Sequence, residues 1–455
     1  MSDYRLDSSY RRPGGGRVIV AGSPLRLFRV SAGGARVMEA IERGEPPPPG
    51  HEQLTGRLIE AGALHPVHAP ATSGSGDPFS LADITVVVPA FGAYPDVPLG
   101  CEVIVVDDAS NPPLVAAPGH RVLRHQRNLG PGPARNTGLA QVRTPLVAFV
   151  DTDVAAADPD TWLTPLLGHF ADPRVALVAP RVASDPTAPG LLARYEAARS
   201  PLDLGREPAR VAVGTRVGYV PAAALVCRTE AVRALGGFDP SLRFGEDVDL
   251  VWRLAEAGWQ CRYEPAGEVQ HRPRTRLGEW CRQRIAYGSS AAPLAQRHPG
   301  SLAPIRISGW SAVVWVLVAL RRPFAALAVA AGTSIALQRK LTDLPRNETL
   351  RLAGLGHLYA GRQVASAITR AWWPLALVAA VVSRRGRTAV CAAALVPPII
   401  DWVAQRGPGD PVTYTALRIA DDLAYGAGVW RGVIEQRSIE PLMPSLTNWP
   451  RRGDG

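Results

Sequence analysis

Asp151 and Asp153 stand one residue apart at the end of the apolar run Ala148-Phe149-Val150. A buried strand that ends this way can turn both carboxylates toward one hard cation. Mg2+ or Mn2+ takes a few carboxylate oxygens and fills its other positions with phosphate and water. Such an ion offsets charge on a departing diphosphate. A bare Asp-x-Asp arises often by chance, and the strand in front of it is what makes it informative. A second acid pair, Asp107-Asp108, closes the run Val103-Ile-Val-Val. Open α/β sheets bind ligands beyond the carboxyl ends of their strands, where an acid can accept a hydrogen bond from a base edge or a ribose hydroxyl. A third group is Gly236-Gly237-Phe238-Asp239, then Gly245-Glu246-Asp247-Val248-Asp249-Leu250, followed by Trp252-Arg253-Leu254, and from Asp247 its pattern is helical. Val248, Val251, Trp252 and Ala255 would form its apolar face, and Gly258 would stop it. Acids in a first turn can simply complement the helix dipole. The functional alternative is a carboxylate at the helix start that takes the proton of an attacking hydroxyl.

Between the first two acid pairs lies Arg127-Asn-Leu-Gly130-Pro-Gly132-Pro-Ala-Arg135-Asn136-Thr-Gly138. Its glycines suggest a dinucleotide-binding turn, but the third glycine is misplaced and two prolines interrupt it. Arg127 and Arg135, in a loop that opens a helix, suit a diphosphate better, through bidentate contacts and free amides.

These groups need a sheet to hold them. Ile84–Val88, Val103–Val106, Leu146–Val150 and Val175–Ala179 are short, continuous and β-branched, as in strands buried on both faces of a parallel sheet. The spacing between them admits crossover helices, so an α/β three-layer domain is expected over residues 83–300. In front of it, residues 1–70 read as two strands, two short helices (the first capped by Ser31) and a returning strand. This order suits a small winged-helix-like unit or a structural appendage. Residues 71–82 (Pro, Ala, Ser, Gly) read as a linker. Behind it, over residues 301–455, Gly309–Leu320, Pro323–Leu337, Ala371–Val382 and Thr388–Val403 are apolar, with arginines between them and tryptophans near their ends. Each is shorter than the roughly 20 residues of a straight span. They fit either buried helices or a membrane-associated region with interfacial anchors.

The net charge of +10 rests almost wholly on arginine. No basic run is interleaved with aromatics, so nucleic acid is not an expected partner; an anionic membrane surface or a pyrophosphate is. The five cysteines are scattered, which argues for reduced thiols and no zinc site. The N-terminus has no apolar h-region, so no secretory signal is expected, and the cytoplasmic face of the cell membrane is the expected location.

Taken in order, the four acid and arginine groups resemble glycosyltransferase family 2 over about residues 84–299. The resemblance implies a GT-A nucleotide-diphospho-sugar transferase, α/β with a mixed, mainly parallel sheet, that inverts the donor's anomeric configuration. It places Asp151 and Asp153 on a divalent metal, with His271 as a third metal or pyrophosphate ligand. Asp107, Asp108, Pro89, Arg127, Arg135, Asn136 and Asp151 would contact the nucleotide-sugar. Asp247 would be the base, with Glu246 beside it and Asp249 the next candidate. One departure touches the base contacts: the first strand ends in Pro89-Ala-Phe91 where the family usually has Pro-Thr/Ala-Tyr-Asn. The order of front unit, transferase domain and apolar tail is similar to the mycofactocin-system glycosyltransferases of actinobacteria. That similarity implies β-transfer of glucose from UDP-glucose onto a peptide-derived redox cofactor, a small-molecule acceptor. An enzyme building a cell-wall glycolipid or polysaccharide is the alternative. A silent peptide-binding module would not need Asp151, Asp153 and Asp247 together.

Overall fold

The computed structural model describes residues 3–68, 79–95, 100–156, 158–405, 407 and 409–447. Its contacts divide the chain into two units, Met1–Ala188 with Arg199–Pro273, and Pro189–Ala198 with Arg274–Gly455. The division falls at Arg274 rather than near residue 300, because two helices after Arg274 group with the helical tail.

In the first unit, β1 (Tyr4–Leu6) is followed by the hairpin of β2 (Val18–Ala21) and β3 (Arg26–Arg29), then α1 (Ala32–Glu42), α2 (Glu52–Glu60) and β4 (Leu64–Pro66). Ser31 Oγ accepts from the Gly34 amide at 3.1 Å, which fixes the start of α1. Ile19, Met38, Leu58 and Leu64 form the core of this segment. β1 has no counterpart in the sequence reading; it is three residues long and pairs with β4 alone. Most of the expected linker, residues 71–78, lies outside the described residues. Its end is ordered as a turn, Leu81–Asp83, where Asp83 accepts from the amide and hydroxyl of Ser80.

The sheet then assembles from β5 (Ile84–Ala90), β6 (Glu102–Asp107), β7 (His120–Arg124), β8 (Leu146–Val150), β9 (Val154–Ala155), β10 (Val175–Ser184), β11 (Ala209–Val211), β12 (Ala224–Arg228) and β13 (Gln260–His271). Its order is β11-β13-β10-β12-β8-β5-β6-β7, with β9 pairing β13. β5 runs parallel to β6 and β8, and β10 parallel to β13. β12 is antiparallel to both its neighbours. Every residue of β8 is fully buried, which is why the run reads as continuously apolar. Helices α3 (Pro131–Leu139), α4 (Pro159–Trp162), α5 (Thr164–Leu167), α7 (Thr229–Ala234) and α8 (Glu246–Glu256) complete this unit, while α6 (Leu191–Arg199) belongs, apart from its last residue, to the second. α8 buries Leu250, Val251, Trp252 and Leu254 together with Asp249. Its inner face is therefore turned from the one expected, and Val248 and Ala255 lie at its margins.

The second unit holds α9 (Leu277–Ser289), α10 (Ala291–Arg297), α11 (Gly309–Ala319), α12 (Pro323–Lys340), α13 (Arg346–Thr369), α14 (Trp373–Val382), α15 (Arg384–Gln405) and α16 (Pro411–Gln436). Arg284 binds Glu196 and donates to Asp421 at 2.8 Å, while Trp280 Nε1 donates to Glu196 at 2.8 Å. A buried set of this kind fixes register, because loss of one member strands the others uncompensated.

Candidate active site

α3 carries the arginine-rich motif and lies flush on the sheet. A Cβ at Gly138 would stand 2.3 Å from Val87 Cγ1, so only glycine permits that approach. Pro131 occupies the first helical position, where a missing amide costs nothing. One turn further on, Arg135 points into the protein, 2% exposed. Its Nη2 donates to Asp151 Oδ1 at 2.6 Å and its Nη1 to Glu246 Oε1 at 2.8 Å. Its guanidinium also lies 5.2 Å from the centre of the Phe238 ring. A single cation thus joins the acid at the end of β8 to the acid pair at the start of α8. Arg135 was expected on a diphosphate; here its immediate partners are carboxylates.

The electrostatics follow from that burial. Desolvation, with the charge of Asp247 added, pushes the Glu246 carboxyl up to about 7 against the pull of Arg135. Asp151 is raised in the same way, by burial and by the neighbouring Asp153 and Asp247, with Arg135 opposing. Burial alone would lower Arg135, but Asp151 and Glu246 outweigh it and hold the cation fully charged.

Asp247 stands at the second position of α8. Its Oδ2 accepts from the Ala222 amide at 3.1 Å and its Oδ1 from the Val248 amide at 2.8 Å. Asp249 is fully buried and binds Arg253 at 2.7 Å; Arg253 in turn donates to the carbonyls of Leu235 and Gly237. That makes Asp249 a brace for the preceding loop and removes it as a substitute base. Asn136 braces the same loop: its amide donates to the Phe238 carbonyl at 2.7 Å and its Oδ1 accepts from the Phe238 amide at 2.8 Å.

Asp153 and His271 meet because β9 pairs with the end of β13, Val154 opposite His271. His271 Nε2 lies 3.3 Å from Asp153 Oδ2. That spacing is close to the roughly 3 Å between neighbouring ligand atoms on one ion with bonds of about 2.1 Å. Among the described residues no group of three His, Cys, Asp or Glu stands ready for a metal. The fit is therefore to two positions of a divalent ion, and Asp151 has its Oδ1 engaged by Arg135.

The acids after β6 have partners within the protein. Asp107 accepts from the amides of Ser110 and Leu114 and binds Arg124. Asp108 accepts from His125 Nδ1 at 2.7 Å and from the amides of Leu129 and Gly130. Both were expected on base or ribose; within the protein Asp107 holds the loop after β6 and Asp108 the loop that leads into α3. Pro89 pairs with Val106 in the sheet and is half-buried. Arg127 is exposed and makes no ion pair among the described residues. Arg124 and His125 were not anticipated. His125 lies within the segment joining the acids to the arginines, and its second nitrogen reaches Thr137 at 2.9 Å, a pairing no local pattern signals.

A mixed sheet whose strand ends gather a carboxylate pair, a buried arginine and an acid-led helix defines a GT-A glycosyltransferase. The sequence profile described as "Glycosyl transferase family 2" matches residues 98–232. The chain is 42% identical over 466 residues to the "Pre-mycofactocin glycosyltransferase" of Mycobacterium tuberculosis (strain CDC 1551 / Oshkosh), covering 97% of each protein. It therefore belongs to glycosyltransferase family 2, in the group most like the mycofactocin-system enzymes. A shorter likeness, 37% over 87 residues, covers 18% of this chain and 28% of an N-acetylglucosaminyl-diphospho-decaprenol L-rhamnosyltransferase of the same organism. A mannosyltransferase from Pyrobaculum calidifontis aligns structurally over 81% of this chain and 93% of its own, with 17% identity and a TM-score of 0.37.

Proposed function

We propose that the chain transfers glucose from UDP-glucose, with inversion, onto the peptide-derived precursor of mycofactocin, at an anionic membrane surface. The near full-length likeness to a pre-mycofactocin glycosyltransferase supports the acceptor. The arrangement of the acids supports the mechanism, and the observation that carries it is the Arg135 bridge between Asp151 and Glu246. It holds the strand-end acids and the helix-start acids around one point. Asp153 and His271, with Asp151, would hold a divalent cation, Mg2+ or Mn2+; when bound, it offsets charge on the departing nucleoside diphosphate. Asp247 takes the proton of the acceptor hydroxyl as that oxygen attacks the anomeric carbon and the bond from that carbon to the diphosphate oxygen breaks. Its own hydrogen bonds from the Ala222 and Val248 amides fix which way it faces. One displacement at an α-linked donor gives a β-linked sugar.

The experiment is transfer by the full chain from UDP-glucose to the purified precursor, read by mass and by the anomeric configuration of the product, with and without EDTA. Hexose increments in β-linkage, lost with EDTA, are expected. An α-linked product would overturn inversion, and transfer to a polyprenyl lipid with none to the precursor would overturn the acceptor. Full activity in EDTA would overturn the metal.

A further inference from the structure

Residues 301–455 carry 18 Arg and Lys against 9 Asp and Glu, so nearly all of the chain's net +10 resides there. The same region leaves large apolar side chains in solvent. Phe324 is 86% exposed, Val381 82% and Val382 80%, and Leu327, Ile335, Leu395, Ile400 and Val403 are more than two-fifths exposed. Large apolar side chains exposed in this number across α12, α14 and α15 mark a covered surface.

Length decides how a bilayer could cover it. The uncharged runs are residues 307–320, 323–338, 371–383 and 388–400, each closed by a charged residue at both ends. At about 1.5 Å per residue the longest, 16 residues, reaches about 24 Å, short of the ~30 Å hydrocarbon core. α15 is long and apolar enough over Arg384–Ala404 and only 11% buried there, but three arginines and Asp401 cut its uncharged part to 13 residues. α13 and α14 pass the same test only as a pair bent by 87°. Charges at both ends of such short runs disfavour crossing, and equally disfavour plunging one end into the hydrocarbon.

The arginines collect. Arg321 Nη2 donates to Thr388 Oγ1 at 3.3 Å, which brings the turn between α11 and α12 to the start of α15. Arg321, Arg322, Arg384, Arg385 and Arg387 are therefore neighbours at those two turns, and none is ion-paired among the described residues. A second copy of the chain would meet this face with the same five cations, so like charge opposes it; a sheet of lipid phosphates complements it.

We propose that the helical unit is a monotopic seat. It lies in one leaflet of an anionic bilayer, with the apolar faces of α11, α12, α14 and α15 among the acyl chains, the five arginines at the phosphates, and no helix crossing. This rests on the reading that the enzyme works at a membrane surface, and adds how it is held there.

Cys391 supplies the probe, being the exposed cysteine of the five and lying within the uncharged part of α15. The full chain, labelled there with a polarity-sensitive dye, is reconstituted from detergent into phosphatidylcholine vesicles with and without phosphatidylglycerol. Quenching by lipids carrying a spin label near the headgroup, stronger than by those labelled near the chain end, is expected. Flotation should need the anionic lipid and fall at least tenfold at 1 M salt or in Arg384→Glu/Arg385→Glu/Arg387→Glu. Stronger quenching from the chain end, with flotation that resists salt and carbonate, would mean a crossing helix; this inference would then fail while the membrane reading survived. No flotation with either vesicle, or a stable oligomer that hides the dye without lipid, would overturn both.

Discussion

Arg135 is held between two acids from distant parts of the sequence, Asp151 at the end of β8 and Glu246 at the start of α8. Arg135→Ala leaves Asp151 and Glu246 facing each other's neighbourhood without a cation. Breaking a buried pair in this way costs about 3–5 kcal/mol. Arg135→Lys can reach one carboxylate but not both, so it should recover part of the stability and little of the turnover; chemical denaturation and single-turnover kinetics check this. Asp247→Asn keeps the shape and can still accept from one of the two amides, Ala222 or Val248, while turning an NH2 toward the other, and it loses basicity. Turnover should fall by about 10² to 10⁴ with UDP-glucose affinity unchanged, and an active variant would move the base elsewhere. Glu246 supplies a pH signature. Its carboxyl is raised to about 7 in the folded chain, above the usual 4.5. Folding thus favours the protonated form, and that contribution is complete below about 4.5 and lost as pH climbs through about 7, at no more than about 1.4 kcal/mol per pH unit. Denaturation of the metal-free chain at pH 5 and pH 8 should show this loss, and Glu246→Gln should shrink it.

At the scale of elements, the loop before α8 is placed by a clasp rather than by its own sequence. Gly237 has φ of +74°, and a Cβ there would stand 2.3 Å from Asn136 Oδ1. Gly237→Ala should therefore destabilise by about 1–3 kcal/mol, through left-handed strain and loss of the Asn136 contacts, and turnover should drop as α8 shifts. An unchanged melting temperature would mean that the loop is free to move away. The same clasp explains what could be read from sequence. β5, β6, β8 and β10 announce themselves because burial on both faces demands unbroken apolar runs. α8 was legible from its acidic first turn and Gly258. α13 and α16 were not, since their apolar residues are mixed with charge and carry no single stripe. Order and spacing singled out Asp151, Asp153 and Glu246. That Arg135 would join Asp151 to Glu246, 111 residues beyond it, was not legible, because only the packing of α3 on the sheet brings them together. Asp107 and Asp108 illustrate the converse. Their position after a strand pointed to ligand, and that position gave no sign of the backbone amides they also bind, Ser110 for Asp107 and Gly130 for Asp108.

Across the first unit as a whole, the N-terminal segment is tied to the transferase fold through a buried carboxylate. Asp7 Oδ1 accepts from the amide of Ser9 at 2.9 Å, and Oδ2 accepts from His65 Nε2 at 3.0 Å and from Arg216 Nη2 at 3.4 Å. Arg216 belongs to the segment after β11, so this acid holds β1, β4 and the transferase part at one point. Burial alone would raise it, but the hydrogen bonds from His65 and Ser9 outweigh that and hold it well below the usual carboxylate range. The stability this supplies is present above the unfolded value near 4 and is lost as pH falls below it. Asp7→Asn puts an NH2 group against donors and should cost about 2–3 kcal/mol at pH 7, while weakening the acid-side loss. Exposed pairs such as Arg174 with Glu60 contribute far less. UDP-glucose affinity should not change, because Asp151, Arg135 and Glu246 share no partner with Asp7. Hydrogen exchange locates the effect: amides of residues 18–66 should exchange faster, and those of β5 and β8 should not. Faster exchange in β5 and β8 as well would mean that the N-terminal segment and the sheet unfold as one cooperative body, and a fall in donor affinity would couple that segment to the active site.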